Sequence, residues 1–324
     1  MRLFDGGVKY LYPRAMFDPI ILKTLHKEVA PHTEALPEPE SWHLAGKDTW
    51  GAVFDLGDDT LLKLVSRRGG LGNGEALHHR EVEALKLLDG LATDYVRVPR
   101  LIAAQALPEG GTEFTPALAG WLRFEALPGT RLSIDKVLTM PARTRDMLGE
   151  RIGAAIADFN NEASKRAHAA NIKLGDTISR SLTLARTYLG NAELHHVADV
   201  VAKAWEARLA TGPLSFVHGD INPENLVDGG NNGPLGLVNF AQSGWSLSEV
   251  EFRHFEPLGT LRDMSFRGWT ARRGQSPDLQ NYYLASAANA LWIIATQGGG
   301  SHPREQMRHT GLLRHCLAEA GLVA

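Results

Sequence analysis

The stretch Phe216-Val217-His218-Gly219-Asp220-Ile221-Asn222-Pro223-Glu224-Asn225-Leu226-Val227 limits the fold of this chain more than any other. Residues 214–218 form an apolar run that reads as a short strand, and it leads straight into Gly-Asp turn chemistry. A polar loop follows, then the apolar pair Leu226-Val227, a turn rich in Gly and Asn at 229–233, and a second strand-like run at 235–240. Two strands joined in this way can hold Asp220, Asn225 and Asn239 around one point.

The sequence differs on the two sides of this polar island. Upstream, a possible helix at 20–29 passes into a connector holding Pro31, Pro37 and Pro39. Apolar runs at 51–56 and 60–65, separated by Gly57-Asp58-Asp59, read as a β-hairpin. Residues 66–74, with four glycines and the arginines Arg67 and Arg68, read as a loop. Leu77, Val82, Ala84, Leu85 and Leu88 recur at helical spacing and predict a helix over 75–91. Residues 96–106 and 121–127 look like strands joined by a turn near Gly110-Gly111. After Pro128-Gly129 the pattern turns helical. Pro141 suits a helix start, and Met147, Leu148, Ile152, Ala155, Ile156 and Phe159 form a stripe. Two more helices fit within 182–210, and two closing helices fit 277–296 and 304–322. A chain of 324 residues is long for one core, so the expected fold class is α+β and two-lobed, β-rich first and mainly helical after.

Composition removes several functional classes. A net charge of −3 and a pI near 6.5 lack the basic footprint of a nucleic-acid binder. The best apolar run, 282–296, is too short and too interrupted to cross a membrane. Asp5, Lys9 and Arg14 stand where a secretory signal needs an apolar stretch. The single cysteine, Cys316, allows no intrachain disulfide and no cysteine zinc site, and fits a reducing, cytoplasmic setting. Histidine pairs such as His78-His79 and His195-His196 are adjacent, so on a helix they diverge rather than share a metal.

The polar island has a clear use in phosphoryl transfer. There an aspartate accepts the proton of the attacking hydroxyl, an asparagine five residues on helps hold magnesium, and a residue at the next strand end bridges metal and phosphates. At these residues the chain resembles the aminoglycoside phosphotransferase and choline kinase family, distant relatives of protein kinases. His218-Gly219-Asp220-x-x-x-x-Asn225 is similar to the family's catalytic-loop motif, and Val238-Asn239-Phe240 stands where the family usually has Ile-Asp-Phe or Ile-Asp-Trp. Gly244 and Glu251 fall where it often has a glycine and a structural aspartate. The resemblance implies a protein-kinase-like fold, with Asp220 as catalytic base, His218 as a loop-shaping residue, and Asn225 and Asn239 as magnesium ligands.

The same comparison reaches upstream. A kinase-like site needs a strand lysine on the nucleotide phosphates, braced by a helix glutamate. Lys63 lies mid-strand, and Glu81 follows eighteen residues later in Arg80-Glu81-Val82-Glu83. Glu81 is the expected partner, because Glu83 points roughly 200° away on a helix. Phe124-Glu125-Ala126-Leu127-Pro128-Gly129-Thr130-Arg131-Leu132 resembles the inter-lobe hinge, whose backbone from Glu125 to Leu127 would meet an adenine edge. The resemblance runs from about residue 42 to 252. It divides the chain into an extension at 1–41, a nucleotide-binding N-lobe at 42–127, and a C-lobe at 128–324 carrying the catalytic loop and substrate site. The loop from Gly46 to Gly51 reads equally as a phosphate cover and as a plain hairpin turn. Trp245, Trp269 and Trp292 suit core packing better than a pocket wall.

The implied activity is transfer of the γ-phosphate of ATP or GTP, with Mg2+, to a hydroxyl of a small molecule. A protein kinase is disfavoured, since the chain has no Ala-Pro-Glu segment and no recognisable activation segment after Asn239. Glu249, Glu251, Glu256 and Asp263 are candidates for a cationic-substrate pocket, or else helix-surface and capping charges. The departure from the family is Asn239, an amide where the family has a metal-binding carboxylate. Hard cations prefer anionic oxygen. Three readings are open: a working enzyme with metal held by Asn225, Asn239 and the phosphates, or by Glu224 or Glu249; a nucleotide-binding protein that transfers slowly or not at all; or a site turned to another nucleotide chemistry, such as nucleotidyl transfer.

Overall fold

The computed structural model of the chain describes residues 19–47, 51–67, 73–108, 118–230, 233–296 and 303–322. Asp5, Lys9, Arg14, Arg68, the Gly110-Gly111 turn and the middle of the loop between Gly46 and Gly51 lie outside the described residues.

Helix α1 (Pro19–Val29) buries Leu25 and Val29 against the back of an antiparallel sheet, in one cluster with Trp42, Phe54, Leu62 and Trp121. The sheet runs β1 (His43–Lys47), β2 (Gly51–Asp55), β3 (Thr60–Ser66), β6 (Leu118–Glu125), β5 (Leu101–Ala106) in spatial order. Strand β3 is central and largely buried, so Lys63 is only 6% exposed despite its charge. The register sets Lys63 opposite Val53 on one side and Leu122 on the other. Arg123 of β6 is buried too. It donates to Thr33 Oγ1 (3.0 Å), to Thr60 Oγ1 (3.1 Å), to the carbonyl of Glu34 and to the carboxylate of Asp58 (2.7 Å), tying the proline-rich connector to the sheet.

Helix α2 (Gly74–Leu87) packs on the other face through Leu77, Glu81, Val82 and Leu85. It stops short of the expected Leu91, because the chain turns at 88–90, with Gly90 at φ 64. The strand expected over 96–106 divides at Pro99, which has no N–H for a ladder. Its first piece, β4 (Val96–Arg97), pairs in parallel with a C-lobe strand, β10 (Leu235–Leu237); its second, β5, joins the N-lobe sheet.

In the C-lobe, β4, β10 (Leu235–Leu237), β9 (Leu226–Asp228) and β7 (Thr130–Arg131) form one small sheet. A second pairs β11 (Gly244–Leu247) with β8 (Leu214–Val217). Helices α3 (Ile134–Thr139), α4 (Ala142–Ala169), α5 (Thr177–Tyr188), α6 (Ala192–Thr211), α7 (Thr260–Arg273), α8 (Leu279–Thr296) and α9 (Pro303–Glu319) surround them. In α4 the residues Leu148, Ile152, Ala155, Ile156 and Phe159 face the core, the leucine, isoleucines and phenylalanine each contributing ~1.5–3 kcal/mol. Met147 leaves that stripe and is 45% exposed, being one residue (about 100°) around the helix from Leu148. Helices α4 and α7 touch backbone to backbone. A Cβ on Gly153 would lie 1.9 Å from the Ser265 carbonyl oxygen, and one on Gly268 would lie 2.0 Å from that of Glu150. Trp245 packs on Phe216, and Trp269 packs on Phe252. Among the described residues no helix is long and apolar enough to cross a membrane.

Candidate active site

Strand β8 delivers His218-Gly219-Asp220 to the front of the C-lobe. Gly219 turns at φ 78, and a Cβ there would stand 2.3 Å from the Gln242 carbonyl oxygen, so the turn takes only glycine. Behind the turn, the buried Glu251 carboxylate accepts the backbone N–H of His218 (2.7 Å) and of Gly219 (2.9 Å) and the amide of Asn160 (3.1 Å). Burial pushes the Glu251 carboxyl up to about 7, against the pull of those donors. The His218 ring donates from Nε2 to the Val238 carbonyl (3.0 Å) and accepts the Asp220 N–H at Nδ1 (3.2 Å). A carbonyl can only accept, so the tautomer is set by its partner. Burial drives this ring down to about 4, and it is neutral at pH 7. His218 thereby links the two strands that carry Asp220 and Asn239.

In front, a row of side chains joins the lobes. Lys63 Nζ lies 2.7 Å from Glu81 Oε2 and donates to Asn239 Oδ1 at 2.9 Å. Asn239 Nδ2 donates to Asn225 Oδ1 (3.3 Å), and Asn225 Nδ2 donates to Asp220 Oδ2 (3.0 Å) and to the Asp220 carbonyl (2.8 Å). Both amide orientations are set by partners with one possible role: the ammonium can only donate and the carboxylate can only accept. Asn239 sits at φ 72, ψ 67, a left-handed conformation that asparagine tolerates better than most residues. Glu83 pairs instead with Lys86 (3.2 Å) on the surface. At the hinge, the Glu125 N–H donates to Arg100 O (3.0 Å), the Ala126 N–H donates to Asp59 O (2.8 Å), and the Glu125 carboxylate meets Arg97 (3.0 Å). Both acceptors lie outside this segment, and the Leu127 side chain that follows packs against Gly236 of β10.

Two neighbours of Asp220 had no signal in the sequence. His254 Nε2 stands 2.9 Å from Asp220 Oδ1, and Arg253 Nη2 stands 3.4 Å from the same oxygen. Because a carboxylate only accepts, Nε2 carries the proton, and Nδ1 accepts from the Asn289 amide (3.3 Å). Burial works against the charged form of Asp220, but the His254 hydrogen bond and the charges of His254 and Arg253 outweigh it, and its pKa falls to about 2. Burial also lowers His254, more than its hydrogen bond to Asp220 raises it. Arg253 and His254 come directly after a short 3-10 turn, Ser248–Phe252, where no helical or strand period marks a facing side. Glu251 in that same turn was legible only through the resemblance.

Glu249, Glu251, Glu256 and Asp263 do not line a cationic-substrate pocket, one of the two readings open for them. Glu251 supports the loop from behind. Glu249 accepts the Asp278 N–H (3.1 Å) and the Asn281 amide (3.4 Å). Glu256 is held by Arg262 (2.7 Å), Tyr282 (2.5 Å) and His315 (3.0 Å), and Asp263 pairs with Arg262 (2.7 Å). Each carboxylate is consumed by donors of the fold, most of them dozens of residues away along the chain. Instead, a cavity of ≈ 110 Å³ opens at Asp220, lined by Asn239, Gln242, Arg253, His254, Asn289 and Trp292. Trp292 thus reaches the cavity, unlike Trp245 and Trp269.

The donors offer magnesium a poor fit. Asn225 and Asn239 do come together, but as neutral amide oxygens already accepting from Asn239 and Lys63. Asp220 is the carboxylate bonded to Asn225, and it is shared by Asn225, His254 and Arg253. Glu224 is exposed and Glu249 is spent elsewhere. No cluster of three or more His, Cys, Asp or Glu side chains able to hold a metal exists among the described residues.

Comparison with known proteins places the fold. The profile described as the phosphotransferase enzyme family matches residues 47–281. Among solved structures, the GDP complex of aminoglycoside 2′-phosphotransferase-IIIa is similar over 93% of this chain and 99% of its own, at 15% identity and a TM-score of 0.66. A choline/ethanolamine kinase family protein from Mesorhizobium loti is similar over 92% and 94%, at 16% identity and a TM-score of 0.55. The macrolide 2′-phosphotransferase MphH from Brachybacterium faecium is similar over 90% and 98%, at 15% identity and a TM-score of 0.53. These likenesses show a shared kinase-like fold. Comparison with curated proteins gives no match.

Proposed function

The chain belongs to the phosphotransferase enzyme family, and from that premise we propose that it moves the γ-phosphoryl group of ATP or GTP to a hydroxyl of a small molecule. One observation carries the reading: the unbroken row Glu81–Lys63–Asn239–Asn225–Asp220, which joins the N-lobe strand to the catalytic loop. In this reading the hinge meets the base through the Leu127 N–H and the Glu125 carbonyl, and Lys63, braced by Glu81, holds the phosphates. The acceptor oxygen bonds to the γ-phosphorus while the bond from that phosphorus to the β,γ-bridging oxygen breaks. The hydroxyl proton passes to Asp220, and nucleoside diphosphate leaves. An aspartate of pKa about 2 is a weak base. Its work is to stay ionised, orient the hydroxyl and take the proton late, as a loose transition state allows.

A second reading, a binding protein that transfers slowly or not at all, is favoured by the amide of Asn239. Nucleotide binding measured by thermal shift with and without magnesium, and then transfer to a panel of hydroxylated acceptors, separates the two. Lys63→Ala is expected to weaken nucleotide binding about 10–100-fold, the worth of charge-assisted hydrogen bonds. Unchanged binding would refute the placement of the phosphates.

A further inference from the structure

The cavity at Asp220 constrains the acceptor. On the premise of phosphoryl transfer to a hydroxyl, we propose that the acceptor is a small hydroxy-carboxylate, its hydroxyl on Asp220 and its carboxylate on Arg253.

Charge is the first reason. Arg253 and Asp220 are the opposite charges of the cavity lining, while Asn239, Gln242, Asn289 and Ser181 are neutral. Among the described residues, a cationic acceptor would find no carboxylate in that lining except Asp220, which the hydroxyl needs. Glu249, Glu251 and Glu256 are consumed by backbone and side-chain donors away from the cavity. Asp176, nearby on the chain before α5, accepts from the Ser179 N–H (2.7 Å), from Trp205 Nε1 (2.9 Å) and from Ser246.

Arg253 itself is the second reason. It is 93% buried, given its 7% exposure, yet it has no bidentate partner. Its contact with Asp220 is long, at 3.4 Å. Its Nε lies 3.1 Å from His254 Nε2, which already spends its proton on Asp220 and so offers Arg253 nothing to bond. A buried guanidinium matched to planar carboxylates, held at a cavity wall without one, is a recognition element.

Distance and size narrow the class. With the guanidinium 3.4 Å from the catalytic oxygen and each ligand contact near roughly 2.8 Å, the hydroxyl and carboxylate oxygens lie at most about 9 Å apart, within the span of one small molecule. A cavity of ≈ 110 Å³ is also far smaller than the roughly 300–1,000 Å³ of sites for drug-sized ligands. Neutral Ser181, Gln242 and Asn289 are placed to read further hydroxyls.

The test is transfer from radiolabelled ATP and GTP, by the full chain, to small α- and β-hydroxy-carboxylates. Each is matched with its own amide, alongside glycerol, ethanolamine and kanamycin. The carboxylates are expected to exceed their amides at least tenfold in kcat/KM. Arg253→Gln is expected to remove that preference through KM while changing the amides only a few-fold, and Arg253→Lys to restore part of it. Preference for amides, ethanolamine or kanamycin would overturn the acceptor class and leave the transferase reading standing. So would an equal loss on carboxylates and amides in Arg253→Gln, since Arg253 would then only position Asp220. If nothing is phosphorylated, the transferase reading fails. Calorimetry of the nucleotide-bound protein then decides the acceptor class, and equal binding of a hydroxy-carboxylate and its amide would overturn it.

Discussion

Behind the catalytic loop, one buried carboxylate, Glu251, accepts three hydrogen bonds and fixes the His218-Gly219 backbone. In front of it, Asn239 offers an amide where the family resemblance places a charge, and its oxygen is spent on Lys63. The support keeps its acid; the reacting face has lost one. The difference teaches that loop geometry and metal affinity are separable. Geometry is secured by backbone N–H donors that need only a good acceptor. Affinity for a hard cation needs anionic oxygen that an amide cannot supply.

The largest expected effect lies on the front. Asp220→Asn should cut kcat about 10³-fold, within the span of general-base losses, while the fold stays intact by circular dichroism. A variant retaining most of its activity would show that the front does not use this carboxylate.

Next comes the pH response of the support. His218 has a folded pKa of about 4 against an ordinary 6.5, so the unfolded chain binds more protons between these values. Its contribution to stability is full above pH 6.5 and lost as pH falls toward 4, a swing of about 3 kcal/mol. Glu251 runs oppositely. Raised from 4.5 to about 7, it contributes below pH 4.5 and loses that contribution as pH rises through 7. Urea unfolding from pH 4 to 7 should therefore give a steeper loss toward pH 7 in His218→Asn than in wild type. An unchanged profile would mean that His218 is not buried neutral.

Glu251→Gln should then cost about 1–3 kcal/mol, because an amide keeps one acceptor oxygen and turns a donor toward backbone donors. Its kcat should fall with stability rather than independently of it, and a stable variant with displaced activity would break the split between support and front. The smallest effect is on the charge itself. Asn239→Asp should strengthen magnesium-dependent nucleotide binding about tenfold, the order of one added charged contact. Turnover seen only in that variant would establish the wild type as a binding protein.

Much of this was legible from local spacing. The hairpin around Lys63 and the pairing with Glu81 rather than Glu83 follow periods of two and 3.6 residues, which leave a written pattern, whereas the loop from Asp220 to Asn225 was legible through its motif and the family resemblance. The break at Pro99 was also written there, though the expected strand ran through it. What stayed hidden depended on non-periodic chain. The turn Ser248–Phe252 sends Glu251 behind the loop and Arg253 with His254 to its front, within four residues. The acids that could have faced a cation or served the fold are taken by Arg262, Asn281, Tyr282 and backbone N–H groups.

By itself, then, the sequence determined the two-lobed frame, because helix and strand periods rest on residue identity at short, regular separation, while the catalytic-loop residues and the carboxylate expected at 239 were readable only through the family resemblance. Only the tertiary structure decided which charges are free to meet a ligand. A carboxylate or guanidinium is spent or available according to partners that lie dozens of residues away, and burial makes that pairing obligatory. On that account four acids dropped out of the acceptor site and one arginine, Arg253, came into it.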